Sequence, residues 1–235
     1  MKNGIDISEF QGTVDFSKLN TDFVILRAGY GKVHTQIDEY FEHNYERCKH
    51  YRIPCGAYWY SYATTTEEAE LEAEMCLRAL RYKQFEYPIY YDVEESKQFA
   101  LGKSAVSDII KAFLRKVEAA GYFVGLYMSA SQLTNYVTDD IKQRYAVWVA
   151  HYGVQKPAYS GNYEMWQKSS KGKMDGIQGN VDINECYFEY PLLIKAAGLN
   201  GFKAESSPAP AQKKSKYVEM TIDGVKYKGT LYEDV

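Results

Sequence analysis

The chain has 235 residues, 46% of them hydrophobic and 25% charged, with a formal net charge of −3. That length admits one large domain or two small ones and includes the size of a single α/β barrel. The composition is that of an ordinary globule. It offers no basic surface for nucleic acid and no apolar run long enough for a membrane span, so neither is expected as a partner. The first residues, "MKNGIDISEF", enter a strand almost directly, without a charged-then-apolar leader. The expectation is a protein that leaves the cell by another route or one whose leader was removed. Short apolar runs then recur: "GIDIS" (4–8), "FVILRAG" (23–29), "PCGAYWYSY" (54–62), "YPIYYDVE" (87–94), "YFVGLYMS" (122–129), "YAVWVAHY" (145–152), "YEMWQ" (163–167) and "NVDIN" (180–184). Helical patterns lie between them. Residues 38–51 carry Tyr40, Phe41, Tyr45 and Cys48 at helical spacing, and 66–82 open on Thr65 and Glu68 as a capping box. Residues 104–120 place Ile109, Ile110, Phe113 and Val117 on one stripe.

Strands alternating with helices predict parallel βαβ units, and eight runs predict a closed barrel rather than an open sheet. The last three runs are joined by segments of weak helical pattern, so the barrel should be irregular in its final third. Composition shifts after residue 202. "KAESSPAPAQKKSK" (203–216) reads as a linker. In 217–235, Asp223-Gly224 sits between alternating arms and predicts a hairpin pairing Ile222 with Val225 and Glu219 with Lys228. One face would then carry Val218, Met220, Ile222, Val225, Tyr227 and Leu231, too apolar to stay bare; another copy, giving a homo-oligomer, is the expected cover, ahead of the barrel of the same chain or the cell wall.

Cys48, Cys55, Cys76 and Cys186 show no C-x-x-C spacing, and the chain has only four His, so a zinc site is not expected and the thiols read as reduced core residues. Tyrosine is abundant, at 23 residues. Its flat apolar face and hydroxyl suit sugar rings, although packing should account for most of them.

The chemistry is carried by acids. Alternate residues of a strand share a face about 7 Å apart, so Asp92 and Glu94 project together at the end of the fourth run. In a parallel barrel the functional residues gather at the C-terminal strand ends. Asp6 of the first run and Asp182 of the eighth join them there, because those strands become neighbours on closure. Acids without a nucleophilic Ser or Cys fit glycoside hydrolysis or divalent-metal catalysis. The absence of a phosphate-cradling glycine loop and of nearby basic residues tilts the balance to sugars. A metal-dependent phosphoesterase and a non-catalytic wall-binding module are the alternatives; no metal or cofactor is expected.

Several segments together resemble glycoside hydrolase family 25, the lysozymes that act as N-acetylmuramidases on peptidoglycan. They are "GIDISEFQGTVDF" (4–16), "FVILRAGYG" (23–31), "GAYWYSYA" (56–63), "PIYYDVE" (88–94), "GLYMS" (125–129), "VWVAHYG" (147–153) and "YEMWQKSSKGKMDGIQGNVDINECY" (163–187). The resemblance spans roughly 3–200 and implies an irregular TIM-like barrel of five βα units and three further strands over residues 1–202, with bacterial peptidoglycan as the partner. It also implies residue roles: Glu94 as general acid and later base, Asp92 orienting the substrate's N-acetyl group in a retaining mechanism, Asp182 as the competing direct nucleophile, and Asp6 tuning it. Tyr127 would donate to the acetamido group, and Tyr60, Tyr62, Trp148 and Trp166 are candidate sugar platforms. The tail, 217–235, matches no familiar wall-binding repeat.

Overall fold

The computed structural model describes residues 1–204 in full and, of the tail, the backbone of 215–222 and 225–232. In chain order the elements of the first part are β1 (Lys2–Ile7), β2 (Phe23–Tyr30), α1 (Phe41–Tyr51), β3 (Cys55–Tyr60), α2 (Thr66–Leu80), β4 (Ile89–Asp92), α3 (Ser96–Phe99), α4 (Lys103–Ala119), β5 (Val124–Ser129), α5 (Ala130–Tyr136), α6 (Asp139–Arg144), β6 (Ala146–Ala150), β7 (Met165–Gly172), β8 (Val181–Cys186) and α7 (Tyr190–Ala196). The strands close into a barrel in that order, β1 to β8. β1 through β5 are each followed by helical segments, which after β1 are only two 3-10 turns, Glu9–Gln11 and Phe16–Lys18. β6 to β8 are the three further strands of an irregular α/β barrel. Neighbours from β1 to β7 run parallel, whereas β8 is antiparallel to both β7 and β1.

Two apolar layers hold this arrangement. The outer layer seals strands to helices: Ile109, Ile110, Phe113 and Val117 of α4 are all buried there. Tyr91 stacks on Phe113 at 3.8 Å between ring centroids. The inner layer fills the barrel and is largely aromatic, with Phe23, Tyr87, Tyr90, Tyr127, Trp148 and Tyr190 among its members. Trp148 is its hub, in contact with the rings of Tyr90 and Tyr127 at 5.1 and 4.5 Å. Rings this large fit only where the opposing wall is thin. A Cβ at Gly125 would lie 2.5 Å from the Tyr90 ring, which explains the glycine there.

α7 carries Tyr190 and Ile194 into the same inner layer. Just beyond it, the Asn200 side chain donates to the carbonyls of Phe85 and Tyr87 at 3.1 and 2.8 Å and accepts from the Phe123 amide at 2.6 Å. Asn200 adopts φ 54°, a left-handed conformation that asparagine tolerates better than most residues. The chain after the barrel is thereby tied to the starts of β4 and β5.

Two local expectations are corrected. Thr65 caps α2 by accepting from the Glu68 amide at 3.2 Å, but the Glu68 carboxylate turns to the Thr64 amide at 2.8 Å instead of closing a box on Thr65. The ion pair of Glu68 with Lys32 holds it there. Strand β4 ends at Asp92, so Glu94 lies beyond it. The four cysteines are unpaired and buried.

The chain divides into compact units Met1–Ala204 and Glu205–Val235. In the second, β9 (Ser215–Ile222) and β10 (Val225–Tyr232) pair antiparallel, with Val225 opposite Ile222 and Lys228 opposite Glu219. The Asp223-Gly224 turn, most of the 203–216 linker and the side chains forming the expected apolar face lie outside the described residues. Among the described residues no helix is long and apolar enough to cross a membrane.

Candidate active site

The four acids meet in one cavity of about 250 Å³ at the barrel mouth, lined also by Arg27, Tyr58, Tyr60, Tyr127, Trp148, Tyr152 and Gln167. Register explains the meeting. Asp92 is the last residue of β4 and pairs with Tyr60 of β3 on one side and Tyr127 of β5 on the other. Residues in register on neighbouring strands share a face, so all three turn inward. Asp6 and Asp182 are direct partners across the antiparallel β1–β8 pair. This corrects the expectation that all the acids sit at C-terminal strand ends. Asp182 is the second residue of β8, and it reaches the mouth because β8 runs the opposite way.

Glu94 keeps to the Asp92 side although the strand has ended. The Val93 amide still donates to the Tyr127 carbonyl at 3.3 Å, and Val93 is buried toward the helices, so the alternation continues for two more residues. The next residue is clamped. Glu95 accepts from the Tyr60 hydroxyl at 2.9 Å, and its amide donates to Gln98 Oε1 at 3.1 Å. Gln98 is fully buried and its Nε2 donates to Ser61 Oγ and the Ala63 carbonyl, both at 2.9 Å. Ser61 in turn donates to Tyr91, whose hydroxyl donates to the buried Glu72 carboxylate at 2.6 Å. Glu94 therefore projects from a backbone fixed on both sides.

Burial first, and for Asp6, Asp92 and Glu94 also the neighbouring carboxylates, raise the proton affinity of the four carboxyl groups. Burial, then the charge of Asp182, lifts Asp6 well above the usual carboxylate range, against hydrogen bonds from Asn184 and Gln167. Burial pushes Asp182 up to about 6, with a hydrogen bond from Asp6 opposing the rise. Asp6 stands opposite Asp182 across β1 and β8, and its Oδ2 accepts from Gln167 Nε2 at 2.8 Å and Asn184 Nδ2 at 2.7 Å. Burial, then the charges of Glu94 and Asp6, lifts Asp92, with Arg27 as the opposing charge. Glu94 is raised first by loss of hydration and also by Asp182, while a hydrogen bond from Tyr127 lowers it. Its side chain stays open to water at the rim, so that rise is screened. Asp92 Oδ1 is buried and has no hydrogen-bond partner.

The aromatic candidates separate. Tyr60 and Tyr127 line the cavity. Trp148 forms its floor, almost wholly buried, with Nε1 donating to Asn184 at 2.9 Å. Trp166 is packed in the outer layer with its Nε1 bonded to the His151 carbonyl at 2.9 Å, and Tyr62 faces a neighbouring recess instead.

Sequence reasoning missed Arg27, Gln167 and Asn184. Arg27 is held by Asp38, from Nε at 2.7 Å, and by Glu9. It faces the cavity as the cation opposite the acids. Asn184 carried a usable signal, since it alternates with Asp182 on one strand face. Gln167 and Arg27 had none, because polar residues within apolar runs reveal a partner only in three dimensions. Among the described residues no group of three or more His, Cys, Asp or Glu is disposed to hold a metal ion.

The model of the glycosyl hydrolases family 25 matches residues 5–177. An autolytic lysozyme of Clostridium acetobutylicum is 30% identical over 190 residues, covering 77% of this chain and 55% of that protein. The CTP1L endolysin superposes with a TM-score of 0.71 at 27% identity, covering 83% of this chain and 70% of the endolysin chain. The catalytic domain of endolysin ply40, from bacteriophage P40 of Listeria monocytogenes, superposes with a TM-score of 0.68 at 28% identity, covering 83% of this chain and 97% of that domain.

Proposed function

The chain belongs to glycosyl hydrolase family 25 and is a peptidoglycan hydrolase of the lysozyme type, and from that premise we propose how its carboxylates divide the work. The scissile bond is the β-1,4 link from N-acetylmuramic acid to N-acetylglucosamine, and the reaction retains configuration. Glu94, whose proton affinity is raised by partial loss of hydration and by Asp182, gives its proton to the leaving oxygen. The acetamido oxygen of the muramic acid closes on C1 as the bond breaks, and Asp92 accepts the acetamido N–H, which orients the group and stabilises the cyclic cation. Glu94, now a carboxylate, removes a proton from water as that water attacks C1 and reopens the ring. Such neighbouring-group participation is a recognised exception to the rule of two enzymic carboxylates.

The observation that carries this reading is the orphaned oxygen of Asp92. A buried acceptor left unpaired costs free energy, on the order of 1–3 kcal/mol, and a substrate N–H would satisfy it. Asp182 fits direct nucleophilic attack less well, because it shares its place with Asp6, its partner across β1 and β8, and hydrogen bonding between the two lowers its proton affinity. Tyr127 supports the acetamido group from the far wall, and Tyr60 offers a sugar platform at the rim. The near-complete coverage of the ply40 catalytic domain supports reading residues 1–202 as the catalytic part. The wall polymer is the partner, so the enzyme acts outside the cytoplasm.

Mass spectrometry of digested peptidoglycan tests the reading. Products should carry reducing-end N-acetylmuramic acid; reducing-end N-acetylglucosamine would assign a glucosaminidase instead. Retention should appear as the β-anomer in early NMR spectra of a soluble substrate.

A further inference from the structure

A second recess, of about 460 Å³, adjoins the acidic cavity. It is bounded by the 31–36 loop, the start of α2 and α3, with Lys32, Tyr62, Glu68 and Lys97 in its walls. The two cavities share a partition of aromatic rings. Tyr60 lines the acidic side and Tyr62 the other, and their rings meet edge-on at 5.2 Å. Tyr30 braces Tyr62 at 6.1 Å and lies beneath the Arg27 guanidinium. Tyr62 is 40% exposed, so one side of its ring remains free.

The charges of the recess are unevenly matched. Lys32 is paired with Glu68. The Glu72 carboxylate is committed inward, to the Tyr62 amide and the Tyr91 hydroxyl, and burial favours its neutral form. Lys97 lies 5.0 Å over the Tyr62 ring, and no carboxylate stands within ion-pair distance of it among the described residues. A cation free to pair, beside an exposed aromatic face and next to the reacting centre, suits an anion attached to the substrate.

We propose that this recess is a binding site for the peptide arms of peptidoglycan, with Lys97 pairing a peptide carboxylate and Tyr62 packing against the peptide chain. The inference rests on the muramidase reading, which brings the sugar chain through the adjoining cavity. Each muramic acid bears its peptide on the lactyl group, so a sugar seated among the four acids directs an anionic arm sideways over the Tyr60–Tyr62 partition. The enzyme would then favour glycan that still carries its peptides.

The test compares initial rates on two glycan preparations, both freed of phosphate polymers: one with intact peptides and one stripped of them by an amidase. On the peptide-bearing strands, Lys97→Glu should raise KM about three- to tenfold, Lys97→Ala by less, and Lys97→Arg should stay near wild type, the scale of one partly exposed ion pair. None of the three should change the rate on stripped strands, and thermal melts should show that each variant folds. Equal losses on both substrates would assign Lys97 a purely structural part through Tyr62 and overturn the proposal, as would unchanged kinetics on both. A wild-type enzyme that cleaves neither preparation would instead sink the muramidase reading beneath it.

Discussion

Replacing Asp182 with asparagine should make the fold more stable at neutral pH while impairing catalysis. Asp182 faces Asp6 directly across β1 and β8, and its carboxyl is pushed up to about 6 by burial. In an unfolded chain the same group titrates near about 3.9. A difference of about two pKa units, at about 1.4 kcal/mol each, sets an upper bound of about 3 kcal/mol on the cost of ionised Asp182 to the native state at pH 7, and water at this partly exposed carboxyl screens it to about 2 kcal/mol. The sign follows from the raised value. The stability contributed by this group is complete below the unfolded pKa and is lost as the pH rises through about 6. Asparagine keeps the shape, can still hydrogen-bond with Asp6, and carries no charge to desolvate. Allowing for screening and imperfect replacement, we expect a gain of about 1–2 kcal/mol at pH 7, or roughly 2–8 °C in Tm for a unit of this size. At pH 3.5 the gain should be close to zero, because the aspartate is then protonated in both states. Thermal and urea unfolding of both proteins at the two pH values would measure this. A variant less stable than wild type at pH 7, or one stabilised equally at both, would refute the account of the site as a store of electrostatic strain.

Glu94→Gln should lower kcat by about 10²–10⁴-fold without changing the melting temperature by more than a few degrees, since it removes a proton donor but keeps the shape. Asp92→Asn should be milder; a glycosyl adduct trapped on Asp182 in either variant would overturn the acetamido mechanism. The rate should fall as pH rises through the elevated pKa of Glu94, when the acid is lost, and fall again at low pH when its ionised neighbours become protonated; a flat profile from pH 4 to 8 would exclude this acid–base assignment. Asn200→Ala should cost about 2–4 kcal/mol in urea unfolding, because three buried backbone groups at the starts of β4 and β5 lose their partner. Deleting 203–235 should leave activity on soluble wall fragments intact and lower the solution mass measured by light scattering, if the tail joins two copies; a monomer before and after would refute that assembly.

The sequence alone carried the α/β barrel and most of its acids. Strand runs of five to nine residues alternating with amphipathic stripes such as Ile109, Ile110, Phe113 and Val117 are local patterns, and the outer layer of the barrel needs little else to form. The D-x-E of Asp92 and Glu94 was legible because side-chain alternation is a property of extended backbone, and it survives the end of β4 by two residues. The tertiary structure decided what depends on direction and company. Whether β8 runs with or against β1 is written in no single segment, since its pattern reads the same either way, yet that choice brings Asp182 to the mouth from the start of its strand. Burial separated the aromatics: the outer layer claimed Trp166, Trp148 became the buried floor of the cavity, Tyr60 stayed on its wall, and Tyr62 turned to the neighbouring recess. The rise in proton affinity of the four carboxyl groups also belongs to the fold, because desolvation and like-charge repulsion act only once the closed barrel has brought residues 6, 92, 94 and 182 together.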